Sequence, residues 1–374
     1  MRRLILGNLL FEEELAHRST PPRKVLETAS GAATLLRAFA REGDRLWTLA
    51  PVDPERLAEI PGLPRPILES GPLRNLAPAD EVLAWGESPE AAALRARKRE
   101  PVVSLDAPLH DLLWRLPVAS PEVVATVHHR FFCLRVAEEL GCALPRARVV
   151  ESPVDLDRVL ASRDAPLAWV VKAPLSASGR SRFIERDGPT ISSEKGRRTV
   201  ERLFDRHGPL LFEPWMDRVE DFGISVLLTQ NETRQVSFHR QLVDRKGQFA
   251  GIELEAELPP AERERVEEVV HGVASALRRE GYVGPFGIDL WRYRRADGAI
   301  VLHPLGEINA RMTFGLVARA LADRLGEALG MAEDERVTLS FSSQSIRIVT
   351  SASRGSSTVP LWRTSPRELL TSSR

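Results

Sequence analysis

Between Gly284 and Gly315 the chain reads "GPFGIDLWRYRRADGAIVLHPLGEINARMTFG", two apolar runs separated by Asp297-Gly298. Such runs around an Asp-Gly dipeptide predict an antiparallel hairpin. Asp289 lies on the first strand, and Glu307 and Asn309 on the second. Side chains alternate with period two, so Glu307 and Asn309 share a face. Where Asp289 falls depends on the turn. A strict two-residue loop sets it opposite Gly306 and turns Glu307 to the other side. Sharing a face with Glu307 requires an odd loop or a bulge, for which Pro304 is a natural place. Two carboxylates and an amide on one face suit a hard cation such as Mg²⁺, which takes oxygen ligands and is commonly shared with phosphates.

A chain of 374 residues, 43% hydrophobic, has room for two or three domains with a large core. Its 52 basic and 52 acidic residues cancel, so bulk attraction to nucleic acid or to an anionic membrane is not expected. Cys133 and Cys142 show neither metal spacing nor a disulfide pattern, which suits a reducing, cytoplasmic setting. The start, "MRRLILGNLLFEEEL", runs from a short apolar stretch into three glutamates and reads as a first strand, not a signal peptide. Nothing approaches the roughly 20 apolar residues of a membrane span.

Residues 1–118 alternate strand-like segments ("RLILGNLL", "RLWTLAPV", "EVLAWGES", "PVVSLD") with helical ones ("AATLLRAFAREG", "SPEAAALRARKRE"). That alternation predicts an α/β layer with a parallel sheet. Ser120-Pro121 is a helix start, with serine as cap and proline at the first turn, and the helix is expected to run to Gly141. Beyond it the pattern becomes α+β. "PLAWVVKAP" is a strand, "DFGISVLLTQ" and "TRQVSFHRQLVD" an antiparallel pair, and Val266, Val269, Val270, Val273 and Leu277 an apolar helical stripe. The expected division is 1–118, 119–212, 213–331 and a C-terminal segment, 332–374, whose Ser/Thr-rich sequence gives no clear pattern.

Lys172 ends an apolar strand and is followed by the small-residue loop Ser176, Ala177, Ser178 and Gly179. Backbone N–H groups of such a loop can approach phosphate oxygens, with the lysine as a point charge. The spacing matches neither of the two common glycine-rich phosphate loops, so taken alone it reads rather as a surface loop with a snorkelling lysine. "FEPWMDRVE" then offers Glu213 and, seven residues on, Glu220. A strand edge there can present backbone atoms to a base and an acid to a ribose.

Taken in order, these pieces resemble the ATP-grasp superfamily over residues 120 to about 325. The resemblance implies a pre-ATP-grasp-like N-terminal α/β domain and a two-subdomain core with ATP between the subdomains. By that resemblance Arg130 takes the place of a first phosphate-contacting base, often lysine in the family, and Lys172 that of the second. Ser176, Ser178 and Gly179 match the loop over the phosphates. Glu213, Trp215 and Met216 match the adenine hinge, the last two through backbone atoms, and Glu220 the ribose acid. Asp289, Glu307 and Asn309 match the Mg²⁺ ligands, Mn²⁺ being an alternative ion, and Arg311 the arginine beside the reacting carboxylate. Arg240, on the strand with His239, is a candidate for the γ-phosphate or the acceptor, or else a structural ion pair. His128 and His129 read as helix-surface or interdomain residues.

The resemblance implies a carboxylate–amine ligase acting through an acyl phosphate, on a small-molecule carboxylate and an amine or thiol. A kinase on the same fold and a non-catalytic nucleotide-binding module are the alternatives. The sequence leaves the substrates open, and the oligomeric state too, a homodimer being compatible with it.

Overall fold

The computed structural model describes residues 2–16, 21–95, 105–176, 181–244, 249–330, 336–342, 345–352 and 355–363. The N-terminal part comprises β1 (Arg3–Gly7), α1 (Phe11–Leu15), α2 (Arg23–Ala33), β2 (Arg45–Thr48), β3 (Ile67–Ser70), β4 (Glu81–Ala84), α3 (Pro89–Ala93) and α4 (Leu109–Arg115). Its four strands form a parallel sheet in the order β3-β2-β1-β4. Successive β1 residues Leu4, Ile5 and Leu6 are all fully buried, as in a parallel sheet covered on both faces. β3 hides in the proline-rich stretch and was not expected. The helix expected over "AATLLRAFAREG" tightens after Ala33 into a 3₁₀ segment, Thr34–Phe39. The expected strand "PVVSLD" falls mostly outside the described residues.

The helix expected from Ser120 to Gly141 is two helices. α5 (Pro121–Val127) begins as foreseen, Ser120 Oγ accepting the Val123 N–H. The chain then breaks at His128-His129, and α6 (Arg130–Glu139) restarts with His129 as its cap. The break places Arg130 in the first turn of α6, where its backbone N–H is unused by the helix and donates to Pro174 O at 3.0 Å. A small antiparallel sheet follows, in the order β5-β8-β6-β7. It comprises β5 (Arg148–Val150), β6 (Trp169–Lys172), β7 (Arg182–Glu185) and β8 (Leu210–Pro214), backed by α7 (Pro153–Leu160) and α8 (Glu194–His207). Trp169, Phe212, Leu156 and Val200 fill its core.

The remaining strands are β9 (Asp217–Leu228), β10 (Thr233–Val243), β11 (Phe249–Leu254), β12 (Gly284–Arg294), β13 (Ile300–Asn309), β14 (Arg336–Phe341), β15 (Ser345–Ala352) and β16 (Gly355–Arg363). They make one eight-stranded sheet in the order β13-β12-β9-β10-β11-β14-β15-β16. Two helices pack on it. α9 (Pro260–Arg279) buries the valine stripe read from the sequence, and α10 (Phe314–Leu329) packs by β9, β10 and β11. The unreadable C-terminal segment thus extends the large sheet. It also reaches back to the N-terminal part, where the buried Arg37 donates to Leu361 O at 3.2 Å and Trp362 packs over Gly31.

Candidate active site

The β12–β13 hairpin carries both of the register devices that the sequence left open. Arg295 N–H bonds to Ala299 O, and Gly298 takes a left-handed conformation at φ 86°, so the loop holds three residues. The odd loop sets Asp289 and Glu307 on one face. A bulge then intervenes: Trp291 pairs with His303, whereas Asp289 pairs with Glu307, leaving Pro304, Leu305 and Gly306 opposite Leu290 alone. The two extra residues slide Glu307 directly across from Asp289. Gly306 is required in that bulge, because a Cβ there would lie 1.7 Å from the indole of Trp291.

Asn309 Nδ2 donates to Asp289 Oδ2 at 3.0 Å, so the three predicted ligands lie together. Gln241 Nε2 donates to the other Asp289 oxygen at 2.7 Å. Gln241 stands on β10 and must reach across β9. Gly223 lies between, and a side chain there would clash with Gln241 and His239. Burial and the neighbouring Glu307 charge push the Asp289 carboxyl up to about 6. Burial would raise Glu307 too, but the charges of Arg130 and Lys172 hold it below the usual carboxylate range. Two partly buried carboxylates side by side, one of them reluctant to ionise, form a donor set that a divalent cation would relieve. Among the described residues no cluster of three His, Cys, Asp or Glu side chains suits a metal. The set is two acids and an amide.

Arg130 bridges the two sheets. Its guanidinium donates to Ala173 O at 2.5 Å and to Ser176 Oγ at 3.0 Å on the β6 side, and to Glu307 Oε1 at 2.8 Å on the β13 side. Its Nε is buried without a partner among the described residues. Lys172 pairs with Glu213. Ser178 and Gly179 lie outside the described residues. At the hinge, Trp215 N–H donates to Ala168 O and Met216 O accepts from Arg218 N–H. Among the described residues that leaves the Trp215 carbonyl and the Met216 N–H as the backbone pair able to meet a base. A recess between α6, β8 and β13 opens beside them, lined by Arg130, Cys133, Leu144, Glu213, His303 and Leu305. Burial lowers His303 to about 4, so it faces the recess as a neutral ring. Cys133 is buried and free, and burial pushes its thiol up, away from reactivity.

Arg311 donates from a terminal nitrogen to Asn309 Oδ1 at 2.9 Å and from the other to Met312 O, while its Nε meets Glu12 at 3.2 Å. Glu12 is 2% exposed and also lies 3.5 Å from His128 Nε2, whose Nδ1 accepts the Ala310 N–H. Burial would raise the Glu12 carboxyl, but His128 and Arg311 hold it low. His128 is therefore a buried interdomain residue, not a helix-surface one. Glu12 and Gln241 were absent from the sequence reading. For Gln241 the signal existed, since alternation along β10 puts it, and not Arg240, on the face of Asp289.

The structure does not bring Arg240 or Glu220 to that face. Arg240 lies between His239 and Gln241, and Glu220 is three residues from Gly223, so both point to the opposite side of the sheet. There Glu220 pairs with Arg292 at 2.8 Å and with Arg240 at 3.3 Å, while Arg240 also meets Glu253 and Arg292 meets Glu262 of α9. Of the two readings given for Arg240, the structural ion pair matches this geometry.

No protein-family model matches the chain, and no curated protein matches it in sequence. Solved structures do match. Phosphoribosylamine–glycine ligase from Thermotoga maritima superposes with a TM-score of 0.54 at 13% identity, over 97% of this chain and 90% of that one. N5-carboxyaminoimidazole synthetase from Staphylococcus aureus, complexed with ADP, gives 0.52 at 10% identity over 91% and 81%. L-amino acid ligase from Bacillus licheniformis gives 0.51 at 16% identity over 92% and 82%. The chain has the ATP-grasp fold. In ATP-grasp terms the small sheet and the large sheet are the two halves of the core, and the parallel sheet precedes them. Among the described residues no helix is long and apolar enough to cross a membrane.

Proposed function

We propose that the protein is an ATP- and Mg²⁺-dependent ligase that activates a carboxylate as an acyl phosphate for attack by an amine. The observation that carries this reading is the convergence on one cleft of Arg130, Lys172, the Asp289–Glu307–Asn309 face and Arg311. The three ligases above share the fold, and one of them was crystallised with ADP. Phosphoryl transfer asks mainly for positioning and charge stabilisation.

In this reading Asp289, Glu307 and Asn309 hold Mg²⁺, which supplies charge neutralisation at the phosphates. Arg130 and Lys172 bind phosphate oxygens. Each is now matched to an acid, Arg130 to Glu307 and Lys172 to Glu213. A phosphate entering with a cation would take over the two bases, and the cation would take over Glu307. Trp215 and Met216 hold the base through the free carbonyl and N–H. Arg311 orients the carboxylate, one oxygen of which attacks the γ-phosphorus as the bond to ADP breaks. The amine nitrogen then forms the bond to the acyl carbon, inorganic phosphate leaves, and the nitrogen loses its proton to the medium. We leave Arg240 outside this machinery.

The test is ADP release with ATP, Mg²⁺, a panel of carboxylic acids and hydroxylamine as the amine, with hydroxamate measured as the product. Hydroxamate formed in step with ADP supports the ligase. A phosphate ester in its place points to a kinase, and no ADP with any acid to a binding module. Arg311→Ala is expected to lower kcat on the order of 10²-fold while calorimetric ATP affinity stays within about twofold, because the charge that it meets develops during transfer.

A further inference from the structure

A cavity lies between the N-terminal sheet and the large sheet, walled by the end of β4, the segment after α4, the start of β12 and the turn after β13. Arg311 lines it and is also bonded to Asn309, so the cavity opens beside the proposed reaction centre. Between Arg311 and the far wall the lining is apolar: Trp85, Leu113, Leu116, Val118, Pro285 and Met312. The charges of the wall are already matched. Arg95 is paired with Glu87, both largely buried, and Arg311 with Glu12. Tyr282 donates its hydroxyl to Pro285 O. A phosphorylated sugar, carrying two negative charges, would find no uncommitted group of cations in this wall. A hydrocarbon chain would find an apolar surface with one polar end.

That polar end suits a carboxylate. A guanidinium has five N–H donors, and Arg311 commits one at Nε to Glu12 and one on each terminal nitrogen to Met312 and Asn309. Among the described residues one N–H on each terminal nitrogen remains uncommitted. The Arg311 guanidinium also lies over the Trp85 ring, 5.2 Å from its centroid, so the charged and apolar ends of the site are contiguous. The cavity is small, about 40 Å³, and is open at one side, so it seats the first carbons of a chain and leaves the rest at its mouth.

We propose that the acid this site activates carries an apolar carbon chain, seated on Trp85, Leu116 and Val118, with its carboxylate on Arg311. The proposal rests on the ligase reading and names its substrate class. Val118 sits on the rim, 36% exposed, so its side chain can be enlarged without disturbing the packed interior.

The experiment runs the hydroxylamine assay over straight-chain acids from acetate to octanoate, and over malate and glutamate as polar acids, for the wild type and Val118→Trp. In the wild type, kcat/KM is expected to rise with chain length to an optimum, each buried methylene contributing roughly fourfold. Val118→Trp is expected to move that optimum to shorter acids and to lower kcat/KM for the previous best acid by about tenfold or more, with the KM for ATP unchanged. Malate or glutamate as the best substrate, or an unchanged chain-length profile in Val118→Trp, overturns the proposal and leaves the ligase standing. If no acid yields ADP, the ligase reading fails. The cavity is then tested by saturation-transfer NMR with hexanoate. Signal in the wild type that is lost in Val118→Trp retains an apolar-acid site, and no signal removes it.

Discussion

Glu12 and Arg311 are 299 residues apart in sequence and meet at 3.2 Å in a buried contact between α1 and the end of β13. Through it the N-terminal part sets the position of the arginine that faces the proposed carboxylate. The same carboxylate meets His128, which holds the backbone of Ala310, the residue next to Asn309. One residue of the N-terminal part therefore fixes both the side chain and the backbone at the end of β13.

Glu12→Gln keeps the shape of that side chain and removes its charge. The charge-assisted bond to Arg311 weakens and the guanidinium gains freedom. We expect kcat to fall on the order of tenfold or more with ATP affinity little changed, because a misplaced group costs rate before it costs binding. Glu12→Asp should recover part of the loss if it reaches Arg311. Steady-state kinetics beside ATP calorimetry separates the two effects, and an unchanged kcat would show that Arg311 is placed without Glu12.

Lys172 and Glu213 form a pair that is 13% and 9% exposed. Removing the lysine alone strands a buried carboxylate, which costs roughly 3–5 kcal/mol when a buried pair is broken. Lys172→Ala thus confuses lost stability with lost phosphate contact. The double variant Lys172→Met/Glu213→Gln removes the charge from both. It should melt close to the wild type and bind ATP at least about tenfold more weakly. Wild-type ATP affinity in the double variant, measured by calorimetry, would exclude Lys172 as a phosphate ligand.

Gly306 carries the bulge that sets Glu307 opposite Asp289, and Trp291 fills the space where its side chain would be. Gly306→Ala must move either the buried indole or the bulge. Overpacking of this kind costs about 1–3 kcal/mol. A lower melting temperature together with weaker Mg²⁺ dependence of ADP release is the expected pair of effects. A variant that melts early yet keeps its Mg²⁺ response would mean that Trp291 moved and the register held.

What the sequence made legible was whatever local chemistry dictates. The hairpin, the Ser120 cap, the valine stripe of α9 and the approximate order of the strands follow from periodicity and turn residues. Whether Asp289 and Glu307 share a face was reduced to loop parity, and the three-residue loop with its bulge answers it. The rest depended on contacts distant in sequence. Nothing near Glu12 marks it as a partner of Arg311. The break at His128-His129 has no proline or glycine to announce it. The Ser/Thr-rich β14–β16 strands have weak alternation, and they take their place by adding one after another to the β11 edge, of which β14 alone is the direct partner. For Arg240 the resemblance left a phosphate contact and a structural ion pair both open, and alternation along β10 turns it to the ion-pair side.

His239 supplies a pH test of the packing beneath the site. It is 3% exposed, a Cβ on Gly223 or Gly315 would clash with its ring, and its Nδ1 lies 3.2 Å from Ser237 Oγ. Burial lowers it to about 3, against about 6.5 in the unfolded chain. Above pH 6.5 neither state holds the proton, and the full contribution to stability is present. As pH falls from 6.5 towards 3 the unfolded chain takes up a proton that the folded protein refuses, so stability falls, by at most about 1.4 kcal/mol per pH unit. His239→Gln has no such proton. Between pH 7.5 and pH 5.5 the wild type should lose on the order of 1 kcal/mol more stability than the variant, read from urea midpoints at the two pH values. Other titrating groups act on both proteins and cancel in the difference. Midpoints that fall in parallel would show that the folded protein accepts the proton at His239, and that the packing around it opens below neutral pH.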